Sequence, residues 1–568
     1  MTATNVRAYP QNGNGAPRDA LPVRAPLGID LDVDVCVIGG GAAGLTAART
    51  LAGRGCSVAV LEAGRIPWNV TDRSAGIVMP GFSEDIERIV ERVGLQQARA
   101  LWALALDGME HVRRTAREPM PGVRPVSGHL AVARSRNERR LRDRATFVQD
   151  EFGAEVEFWP TGQLRSALSS PCYFQALHVP GAFHLNPLAY VHGLAAAAEQ
   201  AGARLFEDTP AHRIDAEGVR KRVDTKSARV RASQIVLADG VQASKLFPLL
   251  SDTVLSLETF AAVTAPLGEA LRAAFSFRGS VAEWDGDAAY CALDGERLLW
   301  TGRTTTRNAD LQRMSERLRG DIAGTFPQLG AVEIAQAWSA RAGHAVHRMP
   351  QIGELKSGLW LANAFGRQGL GTSTTAGLLI AGAIAEGDDR WRLFSAYGLS
   401  WNGGMAGRAL AEAALRTRRA GSRISELLTR YRPVPNVEPA LPAHTEAPPI
   451  VPPEEIPVMT PEPERVAMPM REPQPTPTPV LGETVAEPAA TEQPKPARPK
   501  RVRKAAPKSE SPSKRKARPA PPAPADMIVV RKTPKRGAKP KAIKPVVAEP
   551  PAPPAVATDP PDSGSTSA

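Results

Sequence analysis

The stretch from Asp34 to Arg65, DVCVIGGGAAGLTAARTLAGRGCSVAVLEAGR, limits the fold more than any other part of the chain. Val33 to Ile38 is a short apolar run that ends at Gly39, and Gly39, Gly41 and Gly44 supply the spacing G-x-G-x-x-G. In that spacing the first glycine permits a tight turn, the second lets a pyrophosphate reach the backbone, and the third lets a helix pack against the strand. Ala42, Ala43, Leu45 and Ala47 are good helix formers, and the helix start they build offers free N–H groups and a positive dipole end to phosphates. CSVAVLE then reads as a second strand closing on Glu62, about twenty residues on, where an acid accepts hydrogen bonds from ribose hydroxyls. The pattern predicts a β-α-β dinucleotide-binding unit. An acid at that strand end disfavours a 2′-phosphate, which leaves NAD or FAD.

The same theme returns far along the chain. From Gly358, GLWLANAFGRQGLGTSTTAGLLIAGAI reads as a strand, a glycine turn at Gly366, Gly369 and Gly371, and a helix of small residues. Between the two, QIVLADG is another apolar strand closed by a small-residue turn at Gly240, after the strand-like segments ARLFEDTPAHRI and VRKRVDTKSARVRA. Two glycine-lined helix starts at the two ends of one domain suit a cofactor long enough to reach both, which favours FAD over NAD. The uncharged run from Gln368 to Ala385 has the length of a membrane span but is full of Gly, Thr and Ser. It reads as a helix packed tightly on the sheet, and no transmembrane helix is expected.

Composition divides the 568 residues into three parts. Residues 1 to about 30 are polar, carry no apolar h-region of the secretory kind, and read as a loose arm. Residues 31 to about 432 mix apolar strands and amphipathic helices at globular density. From Pro433 onward, 35 of the chain's 53 prolines fall in the remaining 136 residues with almost no aromatics. Such a segment cannot bury enough apolar surface to offset its ordering entropy, so disorder with polyproline II character is expected. Between Pro442 and Pro494 nine acids stand against Arg465 and Arg471, and between Lys495 and Lys544 eighteen Lys and Arg stand against Glu510 and Asp526. Set against the chain's formal +12, that second block's +16 leaves the rest at about −4. Cys36, Cys56, Cys172 and Cys291 are too few and too scattered for a disulfide framework or a metal site, which suits a reducing cytoplasm.

From about Val33 to Arg408 the chain resembles the D-amino-acid oxidase / glycine oxidase superfamily of FAD-dependent amine oxidoreductases, nearest to its γ-glutamylputrescine oxidoreductase-like branch. The resemblance rests on the stretches above together with TDRSAGIVMPGF, GAFHLNPLAYVHGLAAAAEQAGARLFEDT and GHAVHRMPQIGEL, in the family's order. It implies an α/β (α+β) fold: a Rossmann-like FAD-binding domain from about 31–79, 180–245 and 346–390, and an inserted, mostly antiparallel substrate domain from about 80–179 and 246–345. A C-terminal helix over about 391–432 and the Pro-rich basic tail follow. Noncovalent FAD is implied, with Gly39, Gly41, Ala42, Ala43 and Gly44 at the pyrophosphate, Glu62 and Ala63 at the adenosine ribose, and Gly240 closing the third strand. Arg73, Ser74, Ala75 and Gly76 would pass near the pyrophosphate and flavin, although Asp72, Ser74 and Ala75 depart from the branch's Ser-Gly-Arg-Asn-Gly-Gly. Gly366, Arg367, Gln368, Gly369 and Gly371 would bring a helix N-terminus to the pyrimidine end of the isoalloxazine, where it stabilises charge on the reduced ring.

The implied reaction passes a hydride from the α-carbon of a small amine or amino acid to flavin N5, giving an imine that hydrolyses, with O2 or another acceptor reoxidising the flavin. Three residues are candidates on the substrate side. Arg303 is either a clamp for a substrate carboxylate or half of a structural ion pair. His344 and His347, in GHAVHRMPQIG, are either strand-end histidines satisfied by backbone or a neutral base for the substrate ammonium. Arg416, Arg418, Arg419, Arg423 and Arg430 form either a solvated helix face or a contact for an acidic partner. The basic block at 495–544 resembles histone H1-like tails and has no aromatic, which suits nonspecific nucleic-acid or polyanion contact through phosphates. A solvated extension without a partner and an anionic membrane surface are the other readings of it. A flavin enzyme is therefore weighed against an FAD-fold binding protein that acts through its tail.

Overall fold

The computed structural model describes residues 23–66 and 74–431. Along Leu31–Ile38 the last four residues are all buried, because helices cover one face of the strand and a second apolar layer the other. Val35 and Val37 meet the helix Ala42–Gly53 on one side, while Cys36 and Ile38 join Leu237, Leu250 and Leu361 on the other. Leu31–Ile38 pairs in parallel with Val58–Leu61 and with Arg229–Leu237. The parallel sheet continues through Leu359–Asn363 on one side and Arg204–Phe206 on the other. Gln351–Lys356 adds an antiparallel edge, and Arg213–Asp215 and Lys221–Asp224 extend Arg229–Leu237 as a further antiparallel ribbon.

The second sheet has nine strands, and its main path runs Ile334–His344, Leu255–Thr264, Arg297–Thr305, Ala289–Leu293, Ser280–Glu283, Val126–Ala133, Gln175–His184 and Ile77–Val78. Every pairing is antiparallel except that of Ser280–Glu283 with Val126–Ala133. On its outer face Trp300 stacks on Tyr290 with ring centroids 4.4 Å apart, beneath the helix Leu311–Thr325, which inserts Met314, Leu318 and Ile322. On its inner face Cys291, Leu299 and Trp338 meet Ala75, which belongs to the turn that follows the first sheet's leading β-α-β unit.

The small-residue run of Gln368 to Ala385 is a helix, Gly369–Glu386, and its neighbours differ from the expectation of close packing on the sheet. Glycines let it press on other helices instead. A side chain on Gly377 would lie 2.6 Å from the Ala43 carbonyl oxygen, and one on Gly108, in the helix Leu95–Ala116, would lie 2.9 Å from that of Gly371. Leu95–Ala116 thus joins the core of the first sheet although its sequence lies between strands of the second. No helix among the described residues is long and apolar enough to cross a membrane.

The loose-arm reading of residues 1 to about 30 needs correction for 23–30. Arg24 is buried between Glu199 and Glu207, at 2.7 and 3.4 Å, and Leu27 is buried in the core behind the parallel sheet. Residues 1–22 lie outside the described residues. The same is true of 432–568, where the Pro-rich and basic segments fall.

Candidate active site

The first glycine turn has the geometry its spacing predicts. Gly39 sits at φ +109°, and a side chain there would lie 2.6 Å from the Ala238 carbonyl oxygen on the neighbouring strand end. Gly44 packs so closely on the turn that a side chain would meet the Gly39 carbonyl at 2.0 Å. Gly41 caps the helix with extended backbone and no side-chain acceptor, and the first turn carries no acid. Intrahelical bonding starts with the Leu45 N–H donating to Gly41 O at 2.9 Å, so the preceding amides of Ala42, Ala43 and Gly44 point at an anion site. Glu62 accepts from the Gly40 N–H at 2.7 Å and the Gly64 N–H at 3.0 Å, tying the two turns together. Burial raises its pKa against these bonds and one from the Ala63 amide. Ser74 Oγ accepts from the Gly76 N–H at 3.2 Å. Gly76, at φ +67°, lies against the Leu185 carbonyl where no side chain fits. Gly240 also has positive φ, +62°, but open space around it. Arg73 lies outside the described residues.

The second turn follows the parallel strand Leu359–Asn363 and lies at the same carboxyl end of the sheet. Gly366, at φ +68°, is held by Ser83, whose Oγ accepts from the Arg367 N–H at 2.8 Å and would lie 2.2 Å from a side chain on Gly366. Ser83 carried no sequence signal, because its partner is 284 positions away. Gln368 caps the helix Gly369–Glu386 without a side-chain bond, no acid stands in the first turn, and Gln368 Oε1 is buried without a partner. Gly369 and Gly371 have helical backbone and room around them, with nothing nearer to a Gly371 side chain than 3.8 Å.

Arg367 itself lines the cleft between the two sheets. Its surface is open to solvent, yet enclosing protein, followed by the charge of Arg418, lowers its guanidinium to about 10. Nη1 donates to the Gly286 carbonyl of the second sheet's loop at 3.2 Å, and among the described residues the guanidinium makes no ion pair. His344 borders the same cleft: its Nδ1 would be 3.6 Å from a side chain on Gly366, and its backbone bridges to Phe365. From the second sheet, His129 shares a hydrogen bond with Ser280 Oγ at 2.9 Å, and His184 Nδ1 is buried without a partner. Burial, followed by nearby His184 and Arg367, lowers His129 to about 3, and burial lowers His184 to about 4. His129 lay in no motif and His184 lay in GAFHLNPLAY without a role assigned to it, since adjacent strands bring the two together.

Several substrate-side expectations change. Arg303 has left-handed backbone, φ +55°, which sends its side chain to Asp321 on the outer helix Leu311–Thr325, with Nε 2.6 Å from Oδ2 and Nη2 on Oδ1. The ion-pair reading of Arg303 holds, and the carboxylate clamp does not. His347 packs on Tyr397 at 5.5 Å between ring centroids, and its Nδ1 accepts from the Met349 N–H at 3.2 Å. Burial lowers both His344 and His347 to about 4, with Arg367 adding to the effect at the first and Arg92 at the second. Both shifts run downwards from the ordinary histidine value, away from a base tuned to working pH. The C-terminal helix Gly404–Tyr431 uses its arginines internally: Arg418 donates to the carbonyls of Trp284 and Asp285, and Arg419 pairs with Asp287 at 3.2 Å. Arg416 pairs with Glu412 at 3.0 Å. The side chains of Arg423 and Arg430 lie outside what is described, as does the basic block at 495–544.

A parallel sheet that presents two uncapped, acid-free helix starts to one elongated cleft, roofed by a second sheet, is a fold built for a dinucleotide in redox chemistry. The family of FAD-dependent oxidoreductases known as DAO matches residues 34–383, and the chain belongs to it. It is an enzyme of that class, and its cofactor is FAD. Among its relatives, the probable oxidoreductase OrdL of Haemophilus influenzae is 27% identical over 408 residues, spanning 70% of this chain and 92% of that protein. Gamma-glutamylputrescine oxidoreductase of Escherichia coli K12 is 26% identical over 373 residues, spanning 65% and 87%. The fold is similar to that of glycine oxidase from Bacillus cereus, with a TM-score of 0.52 at 20% identity over 64% of this chain and 97% of that one. The cofactor is held noncovalently, and the thiols agree: burial pushes Cys36 and Cys291 up to about 12, far from the reactive thiolate range.

Proposed function

We propose that this enzyme oxidises the C–N bond of a small amino acid, with amines that lack a carboxylate as poorer donors. Bound FAD supplies the hydride acceptor at N5 and passes the electrons on to O2 or another acceptor. The observation that carries the reading is Arg367, a guanidinium that makes no ion pair among the described residues and reaches from the second glycine turn to the Gly286 carbonyl of the second sheet. An unpaired guanidinium at this junction attracts an anion, and the carboxylate of an amino acid supplies one while fixing the α-carbon. His344, neutral at working pH, borders the same space as a hydrogen-bonding wall. With no histidine titrating near neutrality there, the free amine form of the donor comes from solution. The relatives' names, gamma-glutamylputrescine oxidoreductase, glycine oxidase and L-proline dehydrogenase, support a C–N donor.

Anaerobic bleaching of the flavin with glycine, sarcosine, D-amino acids, polyamines and γ-glutamyl amines tests the reaction, and a panel that leaves the spectrum untouched overturns it. Arg367→Met should raise KM for a carboxylate-bearing donor by about tenfold to a hundredfold, the worth of one charge-assisted contact, and leave simple amines unaffected. The pH profile should rise towards the donor's own ammonium pKa without an acid limb near pH 6 to 7, because both nearby rings sit at about 4. An acid limb removed by His344→Ala would restore the histidine as a base.

A further inference from the structure

The carboxyl ends of parallel strands are where a sheet of this kind receives its ligand, and the chain holds a second acid there. Asp239 follows the strand Arg229–Leu237, whose Leu237 pairs with Ile38 just before the first glycine turn. A side chain on Gly39 would lie 2.7 Å from the Asp239 amide nitrogen. Asp239 also precedes the short turn Gly240–Gln242, a place where aspartate ordinarily bends back to accept from free backbone N–H groups. It makes no cap bond to that turn, and the backbone N–H that favours its ionised form is its own. Its Oδ1 is buried and has no hydrogen-bond partner.

Little around this carboxyl favours its ionised form. The strand Val58–Leu61 ends at Glu62, a like charge, and among the described residues the short helix Ala243–Leu246 contributes one cation acting on it, Lys245. The turn through Gly39 and Gly40 brings no charge. The strand Ile334–His344 lies against Val241 through Gly343 and ends in His344, which is neutral at working pH. Burial raises Asp239 to about 7 against the hydrogen bond from its own backbone N–H, and Glu62 adds to the rise.

We propose that Asp239 belongs to the dinucleotide cleft in its neutral form, and that FAD binding above neutral pH is coupled to the uptake of one proton by this carboxyl. The proposal rests on the assignment of the cleft to FAD. The diphosphate of FAD is negative, so its arrival favours the protonated acid further. The sign follows from linkage: affinity is highest where Asp239 is already protonated in the free protein, and declines as pH rises through about 7 towards the higher pKa of the complex. Below about 7 the affinity is level, because no proton is then taken up on binding.

The test is the FAD dissociation constant of the full-length protein by equilibrium dialysis, from about pH 6 to about pH 9, for wild type and Asp239→Asn. For wild type the constant should climb by up to about tenfold per pH unit above neutrality. Asp239→Asn should stay level and match the wild-type value at the acid end. A level wild-type constant, or an equal climb in the variant, overturns the proposal. Independently of any variant, calorimetric titration of wild type with FAD at about pH 8 in two buffers of different ionisation heat counts protons. An uptake near one supports the proposal, and none overturns it. Failure to bind FAD at every pH would overturn the cofactor assignment itself, an outcome distinct from tight binding without proton uptake.

Discussion

At the scale of single residues the cleft depends on backbone that other amino acids tolerate poorly. Gly39 combines φ +109° with a carbonyl 2.6 Å from where a Cβ would stand. Gly39→Ala would add strain of about 1 to 3 kcal/mol and shift the Ala238 strand end. The expected result is protein lacking the flavin bands, with a lowered Tm, and a normal visible spectrum would refute it. Gly369→Ala is the contrast, since its backbone is helical and its surroundings are open, so folding should tolerate it. Such glycines were legible in the sequence because one backbone conformation demands one residue type. Arg303 and Arg367 were not, because an arginine's direction depends on what stands opposite it. Arg303 meets Asp321 on an outer helix, and among the described residues the Arg367 guanidinium meets a carbonyl and no acid. His344 and His347 are three positions apart in sequence, yet one borders the cleft and the other packs on Tyr397. Ser83 and His129 belong to no motif, His184 and Asp239 stood unremarked inside GAFHLNPLAY and QIVLADG, and all four become visible once strands are paired.

Among the elements, the β-α-β unit was the most legible, since local spacing dictates it, and the C-terminal helix was the least. Its arginines suggested either a solvated face or an acidic partner, whereas the decisive residue is an acid. Glu412 is buried and accepts from Thr305 Oγ1 at 2.8 Å, the Thr306 N–H at 2.9 Å and Arg416. Burial works against its ionised form, but these donors outweigh burial and hold its pKa at about 2. The folded pKa therefore lies below the unfolded one, so the stability it contributes is complete above about pH 4.5 and is lost as pH falls towards 2. Glu412→Gln should cost about 1 to 3 kcal/mol at neutral pH. The deficit should narrow on acidification, and protection of 404–421 against hydrogen exchange should drop. A constant deficit across that range would show that the acid's charge is not what docks the helix. Gly377→Val makes a parallel case for the small-residue helix. A branched side chain 2.6 Å from the Ala43 carbonyl would separate that helix from Ala42–Gly53, and Tm should fall without any change at the cleft's own side chains.

Across the molecule, two sheets supply the two halves of one cleft, and each half is discontinuous in sequence. The parallel half draws on 31–61, 204–237 and 351–363, and the roof on 77–184 and 255–344. Only the parallel half was legible in residue detail, because parallel strands with helical crossovers leave long apolar runs and glycine punctuation, while antiparallel roof strands have short, ordinary patterns. Among the described residues, the two glycine turns and the histidines at the cleft all lie before Glu386, and the docked helix ends at Tyr431. The family match likewise stops at residue 383. If the folded part is self-sufficient, a chain ending at Arg432 should carry FAD in the same molar ratio as the full chain, bleach with the same donors, and melt at the same Tm. Co-purified flavin quantified after heat release, together with thermal scans of both proteins at equal salt, makes the comparison. A truncated protein with less flavin or a lower Tm would mean that residues beyond 432 support the cleft, and the boundary drawn from the proline-rich composition would then have to move.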